Sequence, residues 1–448
     1  MSSRANLADT IYALSSAPGR AGVSVLRVSG PDAVAALEAL TRISLPSPRQ
    51  AALRTLVRDG EPLDRALVLF MPGPGSFTGE NVVEIMTHGS PAVVEAVGAA
   101  LLAVGVRQAV PGEFTRRAFL NGRMDLTEAE GLADLIDSDT DAQRVQALRQ
   151  MEGGLRQRAE GWTESLLDAL APLEGEIDFP DEADVPDRLS REAGPTLRAL
   201  VDDLDAALAG FDRGERVREG LQIAVIGAPN AGKSSLINWL AGREAAIVSD
   251  IPGTTRDVVE VHLDLAGLPV RVSDTAGLRE AGDAIEAEGI RRARGRAAEA
   301  DLRILVVDSH SPKPDGEDAL RDGDLVLLNK TDLATSVFDT VSTKAHVTIF
   351  PISVSSGTGL DAALDWIEAT VSDRFSPTRS PGLTRARHRD CVLRARESVV
   401  RAISALDRAP ELAAEDLRSA LLAIEELGGR ADMDGVLDRV FSRFCIGK

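Results

Sequence analysis

Residues 227–234, GAPNAGKS, constrain the fold more than any other part of this chain. They match the phosphate-loop pattern G-x-x-x-x-G-K-[ST], follow the apolar run LQIAVI and open the helical stretch SSLINWLAG. Glycines in this pattern let backbone N–H groups turn towards a phosphate chain, and the dipole of the following helix favours its negative charge. The segment therefore predicts a strand, a phosphate-binding loop and a helix, with Lys233 at the β- and γ-phosphates and Ser234 as a Mg2+ ligand.

Two later segments, each at the end of a predicted strand, extend this site. Asp274 ends the run RVSD, where a carboxylate can support the Mg2+ shell, and Gly277 lets a backbone N–H approach the γ-phosphate. Asp332 closes the segment NKTD, and its carboxylate can accept hydrogen bonds from the N1–H and 2-amino groups of guanine. Adenine lacks that pair of donors. Residues 353–355 follow a further strand and are expected to contact the base, so the motifs together predict a GTPase.

The segment DIPGTTRD lies where a switch loop is expected, and we expect its Thr255 to supply a second Mg2+ ligand. Leu278 stands where Ras-like enzymes carry the glutamine that orients the attacking water, and leucine cannot hydrogen-bond to water. Another group must take that role, and the residues alone make four acidic residues equally good candidates for orienting the water. They are Glu280, Asp283, Glu286 and Glu288. Arg256 and Arg279 are candidates for an arginine finger, although a charged residue in a switch loop is more often simply solvated.

Composition limits the alternatives. At 448 residues the chain is too long for one hydrophobic core, so two or three domains are expected. A net charge of −20 argues against a broad basic surface for nucleic acid, and 3% aromatic residues argue against a stacking platform for single strands. The two cysteines and five scattered histidines indicate neither a disulfide framework nor a metal site. With no secretory signal and no apolar run of roughly 18–20 residues, a cytoplasmic location away from membranes is expected.

The pattern of apolar and polar residues predicts a multidomain protein that combines α/β and all-helical parts. In the N-terminal part, strands are predicted at residues 22–28, 66–70 and 82–87. The helical part begins near Thr127, because Thr127 and Glu130 form a capping-box pattern.

From residue 221, the short apolar runs LQIAVI, RVSDT, LRILVVD, LVLLN and VTIFPIS alternate with helical stretches, which is typical of a mostly parallel sheet with covering helices. Residues 384–448 again show the apolar spacing of helices. The doubly wound part is therefore expected to be inserted into a helical domain made of two segments.

The chain ends in FCIGK, and its Cys445 could belong to a prenylation signal, to a site that needs a thiol, or to an unordered tail. Gly447 and Lys448 fit a prenylation signal poorly. An amphipathic helix that ends at Phe444 can hold the tail in one place, which favours a thiol at a site.

Several longer stretches carry a family resemblance. GAPNAGKSS, DIPGTTRD, DTAGLRE and NKTD resemble the TrmE-Era-EngA branch of GTPases. PGRAGVSVLRVSG, GPGSFTGENVVEI, PGEFTRRAFLNGRMDL, IDFPDE and FCIGK make the chain similar to the MnmE (TrmE) family from about residue 9 to its end. The resemblance implies four segments: a folate-binding and dimerisation domain at 1–122, a helical domain at 123–219 and 373–448, and an inserted Ras-like P-loop G domain at 220–372.

The family's activity follows as an expectation. Its members are K+-activated GTPases that act as homodimers and form a heterotetramer with MnmG, a FAD protein. Together they modify C5 of the wobble uridine in certain tRNAs, with a one-carbon unit from a 5-formyl or 5,10-methylene tetrahydrofolate. Two other functions compete, an RNA-binding switch in ribosome assembly and a folate-dependent transferase with a regulatory G domain. The acidic chain, without a GXXG appendage or a second G domain, argues against the first of these.

The resemblance also assigns site residues. Glu286 corresponds to the glutamate that positions the attacking water, and Cys445 is expected to face the folate pocket. The expected K+ ligands are the Asn230 side chain and the backbone carbonyls of Ser249, Ile251 and Thr254. The expected folate residues are Arg27, Glu84, Arg123 and Lys448, although the family commonly has lysine in place of Arg123, which keeps the charge but changes the geometry. The residues expected to bind GTP are Asn230, Ala231, Gly232, Lys233, Ser234, Ser235, Ser249, Asp250, Ile251, Pro252, Gly253, Thr254, Thr255, Asp274, Thr275, Ala276, Gly277, Asn329, Lys330, Asp332, Ser353, Val354 and Ser355.

Overall fold

The structure of the protein is a computed structural model that describes residues 9–178, 190–243, 246, 260–274, 295, 297–310, 316–333, 345–375, 382–429, 434–442, 444 and 446–447. The chain divides into two compact units. Unit 1 comprises Met1–Ala133, Met151–Arg198 and Glu397–Lys448, and unit 2 comprises Asp134–Gln150 and Ala199–Arg396. The four-segment domain division stays a prediction.

Unit 1 contains a six-stranded sheet. Its strands are β1 (Ile11–Leu14), β2 (Ala21–Ser29), β3 (Ala52–Arg58), β4 (Glu61–Met71), β5 (Val82–Gly89) and β6 (Arg107–Gln108), in the order β3-β4-β5-β2-β1-β6. All neighbours are antiparallel except β1 and β6. The three predicted strands lie within β2, β4 and β5 and are confirmed, whereas β1, β3 and β6 were not predicted because their short runs carry weak apolar patterns.

One face of this sheet is covered by two helices, α1 (Ala33–Thr41) and α2 (Pro91–Ala103). Proline at the first position of α2 suits its start, because the fixed φ of proline matches the helix and its missing N–H is not needed there. Alternate strand residues such as Val28 and Ile85 pack against Leu101 of α2 in one core. The residues between them, Arg27 and Glu84 among them, lie on the opposite face.

A buried arginine of helix α3 (Glu113–Leu120) connects this helix to the residues that precede β1 and β5. The Arg117 side chain has 0% exposure and forms ion pairs with Asp9 at 2.7 Å, Glu113 at 3.1 Å and Glu80 at 3.2 Å. Burial opposes ionisation of Glu113, but hydrogen bonds from Arg107, from a backbone N–H and from Arg117 together outweigh that effect, so the pKa of Glu113 is lowered. Because the folded pKa is depressed, this carboxylate stabilises the fold above its usual pKa, and the stabilisation is lost as the pH falls through the folded value.

The remaining helices of unit 1 are wholly or partly α4 (Leu126–Ile136), α6 (Gly154–Asp178), α7 (Ser190–Ala209), α11 (Ala386–Ala405), α12 (Pro410–Gly428) and α13 (Asp434–Phe441). The division between the units falls within α4, α7 and α11, and before the last residue of α5 (Asp141–Met151). In the described part of the chain, no helix has the length and apolar character needed to cross a membrane.

The capping box was predicted two residues too late in the chain. Helix α4 begins at Leu126, and the reciprocal bonds run from the Glu128 N–H to the Asp125 carboxylate at 2.8 Å and from the Asp125 N–H to the Glu128 carboxylate at 2.7 Å. The Thr127 hydroxyl donates to the Asp125 carboxylate instead. Asp-x-x-Glu has the same spacing as Thr-x-x-Glu, and aspartate caps at least as well as threonine.

Unit 2 contains a second six-stranded sheet. Its strands are β7 (Leu221–Ile226), β8 (Glu260–Leu265), β9 (Leu268–Asp274), β10 (Leu302–Asp308), β11 (Leu325–Asn329) and β12 (Thr348–Pro351), in the order β12-β11-β10-β7-β9-β8. Every neighbouring pair is parallel except β8 and β9. The helices are α5 (Asp141–Met151), α8 (Phe211–Glu219), α9 (Lys233–Ala241) and α10 (Leu360–Phe375). The five predicted strands are confirmed, and the α/β and helical fold class is confirmed with them; the edge strand β8 was not predicted.

Replacing Arg117 with methionine is expected to lower the free energy of unfolding by about 3 kcal/mol, because it leaves the buried Glu113 carboxylate with fewer cationic partners. Urea unfolding of the full chain followed by circular dichroism measures the change. Arg58→Met is the matched control, since Arg58 is half-exposed and pairs with a 90% exposed Asp59; it should cost less than about 0.5 kcal/mol. Equal losses in the two variants would contradict a central role for Arg117.

Candidate functional site

The phosphate loop of unit 2 lies where its motif predicts, between the end of β7 at Ile226 and the start of α9 at Lys233. Lys233 is 5% exposed, and its ammonium group donates to the carbonyl oxygens of Gly227 at 2.7 Å and Ala228 at 2.8 Å. The lysine charge is thereby held over the loop, at the N-terminus of α9. This position suits an anion such as a nucleotide phosphate.

A buried asparagine connects the phosphate loop with the loop that follows β12. The Asn329 side chain, 3% exposed, donates to the Ala231 carbonyl at 2.8 Å and accepts from the Val354 N–H at 3.1 Å. Gly232 makes this contact possible: its φ is +108°, and a Cβ there would lie 2.1 Å from the Asn329 amide nitrogen. Asn329, predicted as a nucleotide residue, therefore aligns two loops of the site.

The predicted base-recognition residues come together beyond β11 and β12. The Ser355 hydroxyl donates to the Asp332 carboxylate at 3.3 Å and lies 3.0 Å from the Ser353 hydroxyl. Hydrogen bonding from Ser353 lowers the pKa of Asp332, so this carboxylate is ionised at neutral pH. An exposed, ionised carboxylate at this point can accept the two N–H groups of a guanine edge.

Asp308, at the end of β10, is a residue of this region that the sequence reasoning missed. Its carboxylate pairs with the Lys330 ammonium at 2.6 Å, and the register of β10 and β11 sets it beside Asn329. Burial opposes ionisation of Asp308, but its hydrogen bonds and ion pair with Lys330 and its hydrogen bonds with His310 together outweigh burial and lower the pKa of Asp308. The available signal was its place as the last residue of the apolar run LRILVVD.

The residues assigned to Mg2+ and K+ are only partly described. Ser234 and Ser235 are exposed in the first turn of α9, and Asn230 is exposed in the loop with φ of +64°. The register of β7 and β9 pairs Asp274 with Val225, which sets the aspartate at the edge of the sheet that carries the phosphate loop. The other predicted residues of this site lie outside the described part of the chain: Ser249, Asp250, Ile251, Pro252, Gly253, Thr254, Thr255, Thr275, Ala276, Gly277 and Glu286.

A second group of predicted residues lies in unit 1. Arg27 of β2 is paired with Glu84 of β5, and the Arg27 Nε and Nη2 atoms donate to one Glu84 oxygen at 3.0 and 2.8 Å. The pair is largely buried, with side-chain exposures of 21% and 16%. Among the residues that the structure describes, the Arg27 Nη1 atom and the second Glu84 oxygen have no hydrogen-bond partner. These two atoms can form hydrogen bonds with a ligand.

The other two predicted folate residues are Arg123 and Lys448. Arg123 is exposed and its stem lies against Gly79, since a Cβ on that glycine would be 3.3 Å from the Arg123 Cγ. Lys448 and Cys445 lie outside the described residues.

The last turn of the chain is nevertheless seated on the sheet of unit 1. Gly447 has φ of +105°, and a Cβ there would meet the Leu14 carbonyl at 2.2 Å, so only glycine fits. The Ser15 hydroxyl donates to the Gly447 carbonyl at 3.2 Å. Leu14 is paired with Leu26 of β2, one residue before Arg27. Phe444 is buried with Phe441 and Leu126.

Comparison with known proteins identifies the family of this chain. A family model described as the MnmE helical domain matches residues 126–445, and one described as the GTP-binding protein TrmE N-terminus matches residues 10–123. A tRNA modification GTPase MnmE of Maricaulis maris is 55% identical over 98% of this chain and 99% of its own length. Another, from Caulobacter vibrioides, is 51% identical over 99% of this chain and 100% of its own length. The chain belongs to the MnmE family.

Among solved structures, Era of Aquifex aeolicus is 22% identical over 40% of this chain and 66% of its own, with a TM-score of 0.27 that supports no argument about the fold. Membership of the MnmE family rests on the family models and the full-length relatives. Like the family, the chain is a GTPase, and GTP is its nucleotide.

For this MnmE-family GTPase, Asp332→Ala is expected to weaken GDP binding by about 2 kcal/mol, because the variant loses charge-assisted hydrogen bonds to the guanine edge. Wild-type protein should prefer GDP to IDP, which lacks the 2-amino group, and the variant should lose this preference. Competition with a fluorescent GDP analogue measures both effects.

Asp322→Ala is the matched control. Asp322 is a 77% exposed carboxylate before β11, away from the loops that follow the strands. It should bind GDP and IDP like the wild type. If Asp332→Ala kept the preference for GDP, another residue would have to recognise the 2-amino group.

Proposed function

We propose that this chain is a K+-activated GTPase that works with an MnmG-type FAD protein on the wobble uridine of certain tRNAs. The product carries an aminomethyl or carboxymethylaminomethyl group on C5, and a tetrahydrofolate supplies the one-carbon unit. The relatives' name, tRNA modification GTPase, supports tRNA as the substrate. The observation that carries the proposal is the presence in one chain of a guanine-nucleotide site and, in another unit, the largely buried Arg27–Glu84 pair.

The nucleotide site fits Mg2+ and K+. Ser234, the second residue of α9, is exposed and, with Thr255, would hold Mg2+. Asn230 carries an exposed amide in the phosphate loop, and an amide oxygen suits a hard cation. With the backbone carbonyls of Ser249, Ile251 and Thr254, it would hold K+. A bound K+ neutralises charge on phosphate oxygens, as an arginine finger does in other GTPases.

Glu286 would position the water that attacks the γ-phosphate, directly or through a second water. A carboxylate can accept a proton or hydrogen bond from water, which Leu278 cannot. Lys233 would hold the phosphate chain, and Asp332 with Asn329 would keep the base in register. These side chains position GTP and the attacking water, and none of them forms a covalent bond with GTP.

The Arg27–Glu84 pair fits a reduced folate. The second Glu84 oxygen can accept hydrogen bonds from the amino and ring N–H groups of a pterin, and the pair keeps that oxygen in place. Arg123 and Lys448 would bind the glutamate tail, for which cations are suited. Gly447 sits against β1 beside this pair, which supports a place for Cys445 near the same pocket.

The exposed face of the sheet in unit 1 supports a homodimer. Leu53, Leu67 and Val23 lie on that face with exposures of 51%, 45% and 56%. Leu53 is paired with Leu67, and Leu67 with Met86 of β5, so these three residues form an apolar row beside the Arg27–Glu84 pair. A row of this kind suits a second copy of the chain. The heterotetramer with MnmG and the cytoplasmic location follow from the family resemblance.

GTP hydrolysis should be about tenfold faster, or more, in KCl than in NaCl of the same ionic strength, because Na+ is too small to replace K+ among the same oxygen ligands. A phosphate-release assay at saturating GTP measures the two rates. Asn230→Ala should reduce the KCl rate towards the NaCl rate. Equal rates of the wild-type protein in the two salts would refute K+ activation.

Glu286→Ala should bind GTP normally but hydrolyse it about a hundredfold more slowly, because the attacking water loses its acceptor. Cells that lack this chain should lose the C5 modification of the wobble uridine, and this variant should fail to restore it. Glu288→Ala is the matched control and should behave like the wild type in both measurements. Unchanged modification in cells lacking the chain would refute the tRNA function, and unchanged turnover of Glu286→Ala would refute the residue assignment alone.

A further inference from the structure

Residues 76–80, SFTGE, form a loop between β4 and β5, here called the SFTGE loop, that touches the Arg27–Glu84 pair. The Phe77 ring centroid lies 5.3 Å from the Arg27 guanidinium carbon. The Phe114 ring of α3 lies 5.9 Å from the same atom. The guanidinium group is therefore held by two aromatic rings and by its bonds to Glu84, and aromatic rings attract such a cation.

The SFTGE loop is anchored by the residues that follow Phe77. The Thr78 hydroxyl lies 2.7 Å from the Ser29 hydroxyl, and the Asn121 amide donates to the Thr78 carbonyl at 2.7 Å. Ser29 also donates to the Glu80 carboxylate at 2.6 Å. These contacts tie the loop to β2, the strand of Arg27, and to the end of α3.

Glu80 is held further by the fully buried Arg117, whose Nη1 atom lies 3.2 Å from the Glu80 carboxylate. Arg117 also binds Asp9 and Glu113, so the loop is connected to the ion network of unit 1. The position of Phe77 is thus determined by polar contacts on the residues that follow it.

The same loop reaches the third predicted folate residue. Gly79 lies so close to Asn121 and Arg123 that a Cβ would be 3.0 Å from the Asn121 Cβ and 3.3 Å from the Arg123 Cγ. One loop of five residues therefore contacts both Arg27 and Arg123, which lie far apart in the chain.

We propose that Phe77 is a positioning residue for folate binding, which holds the Arg27 guanidinium in the orientation that the ligand requires. This inference rests on the proposed folate function and extends it to a residue with no expected ligand contact. An arginine side chain is flexible when free, and a side chain that is already ordered loses less freedom when a ligand binds. Phe77 acts through Arg27, and Glu80 acts through the position of Phe77.

The test is binding of 5-formyltetrahydrofolate to the full-length protein, measured by isothermal titration calorimetry. Phe77→Leu should raise Kd about tenfold, because leucine fills part of the space but offers no ring face to the guanidinium. Phe77→Tyr should bind like the wild type, since the ring is kept. Because tyrosine also preserves the packing of phenylalanine, a separate control variant tests the effect of altered packing.

Phe70→Leu is the matched control. Phe70 lies on β4 in the core of the same sheet, on the face opposite the Arg27–Glu84 pair. It should lower the temperature of thermal unfolding at least as much as Phe77→Leu and leave Kd unchanged.

The outcomes separate the two proposals. If the wild type binds the folate and Phe77→Leu binds it equally well, the positioning role is refuted and the folate site stands. If Phe77→Tyr loses as much affinity as Phe77→Leu, the role of the ring is likewise refuted. If the wild type does not bind the folate, the folate function is refuted and the positioning role with it.

Discussion

The nucleotide site depends on the two hydrogen bonds of the Asn329 side chain. Its amide donates to Ala231 in the phosphate loop and accepts from Val354 in the base-contacting loop. In a parallel sheet, the loops after neighbouring strands emerge at one edge, but nothing in the strands themselves sets the distance between those loops. A buried amide that satisfies one carbonyl and one N–H sets that distance, and an unpaired amide there would be costly. The phosphate and base ends of the site are therefore held in register before any nucleotide binds.

In unit 1, buried ion pairs rather than a buried amide hold the candidate site residues in place. The buried Arg117 is surrounded by three carboxylates, and its ion pair with Glu80 fixes the SFTGE loop beside Arg27. Arg27 itself is held by Glu84 and two phenylalanine rings. A buried ion pair adds little net stability when compared with apolar packing, because desolvation offsets attraction. What such a network provides is a defined geometry, and it lies here beside the residues expected to bind folate.

Much of the architecture could be predicted where a pattern is local. The strand β7 and the helix α9 flank a motif that needs only a few consecutive residues, and the five strands with long apolar runs were identified correctly. The strands β1, β3, β6 and β8 are short or carry alternating polar residues, so their patterns resemble those of loops. The start of α4 was placed two residues late because two overlapping segments share the capping-box spacing, and only the backbone hydrogen bonds distinguish them. The folate pair could be named by resemblance, but its bonding and its aromatic support could not.

The sequence by itself determined the class of nucleotide, the order of the motifs and the family, because those properties reside in short segments whose residues act on a ligand in a recognisable way. Only the tertiary structure decided which residues hold these segments in place. Asn329 and Ala231 are 98 residues apart in the chain, and Arg27 and Glu84 are 57 apart. Contacts of that range leave no periodic signal, because they depend on strand order and register, which are set by the packing of the whole sheet. For the same reason Phe77 and Arg117 could be recognised only from the fold, and the only sequence signal for Asp308 was its place at the end of an apolar run.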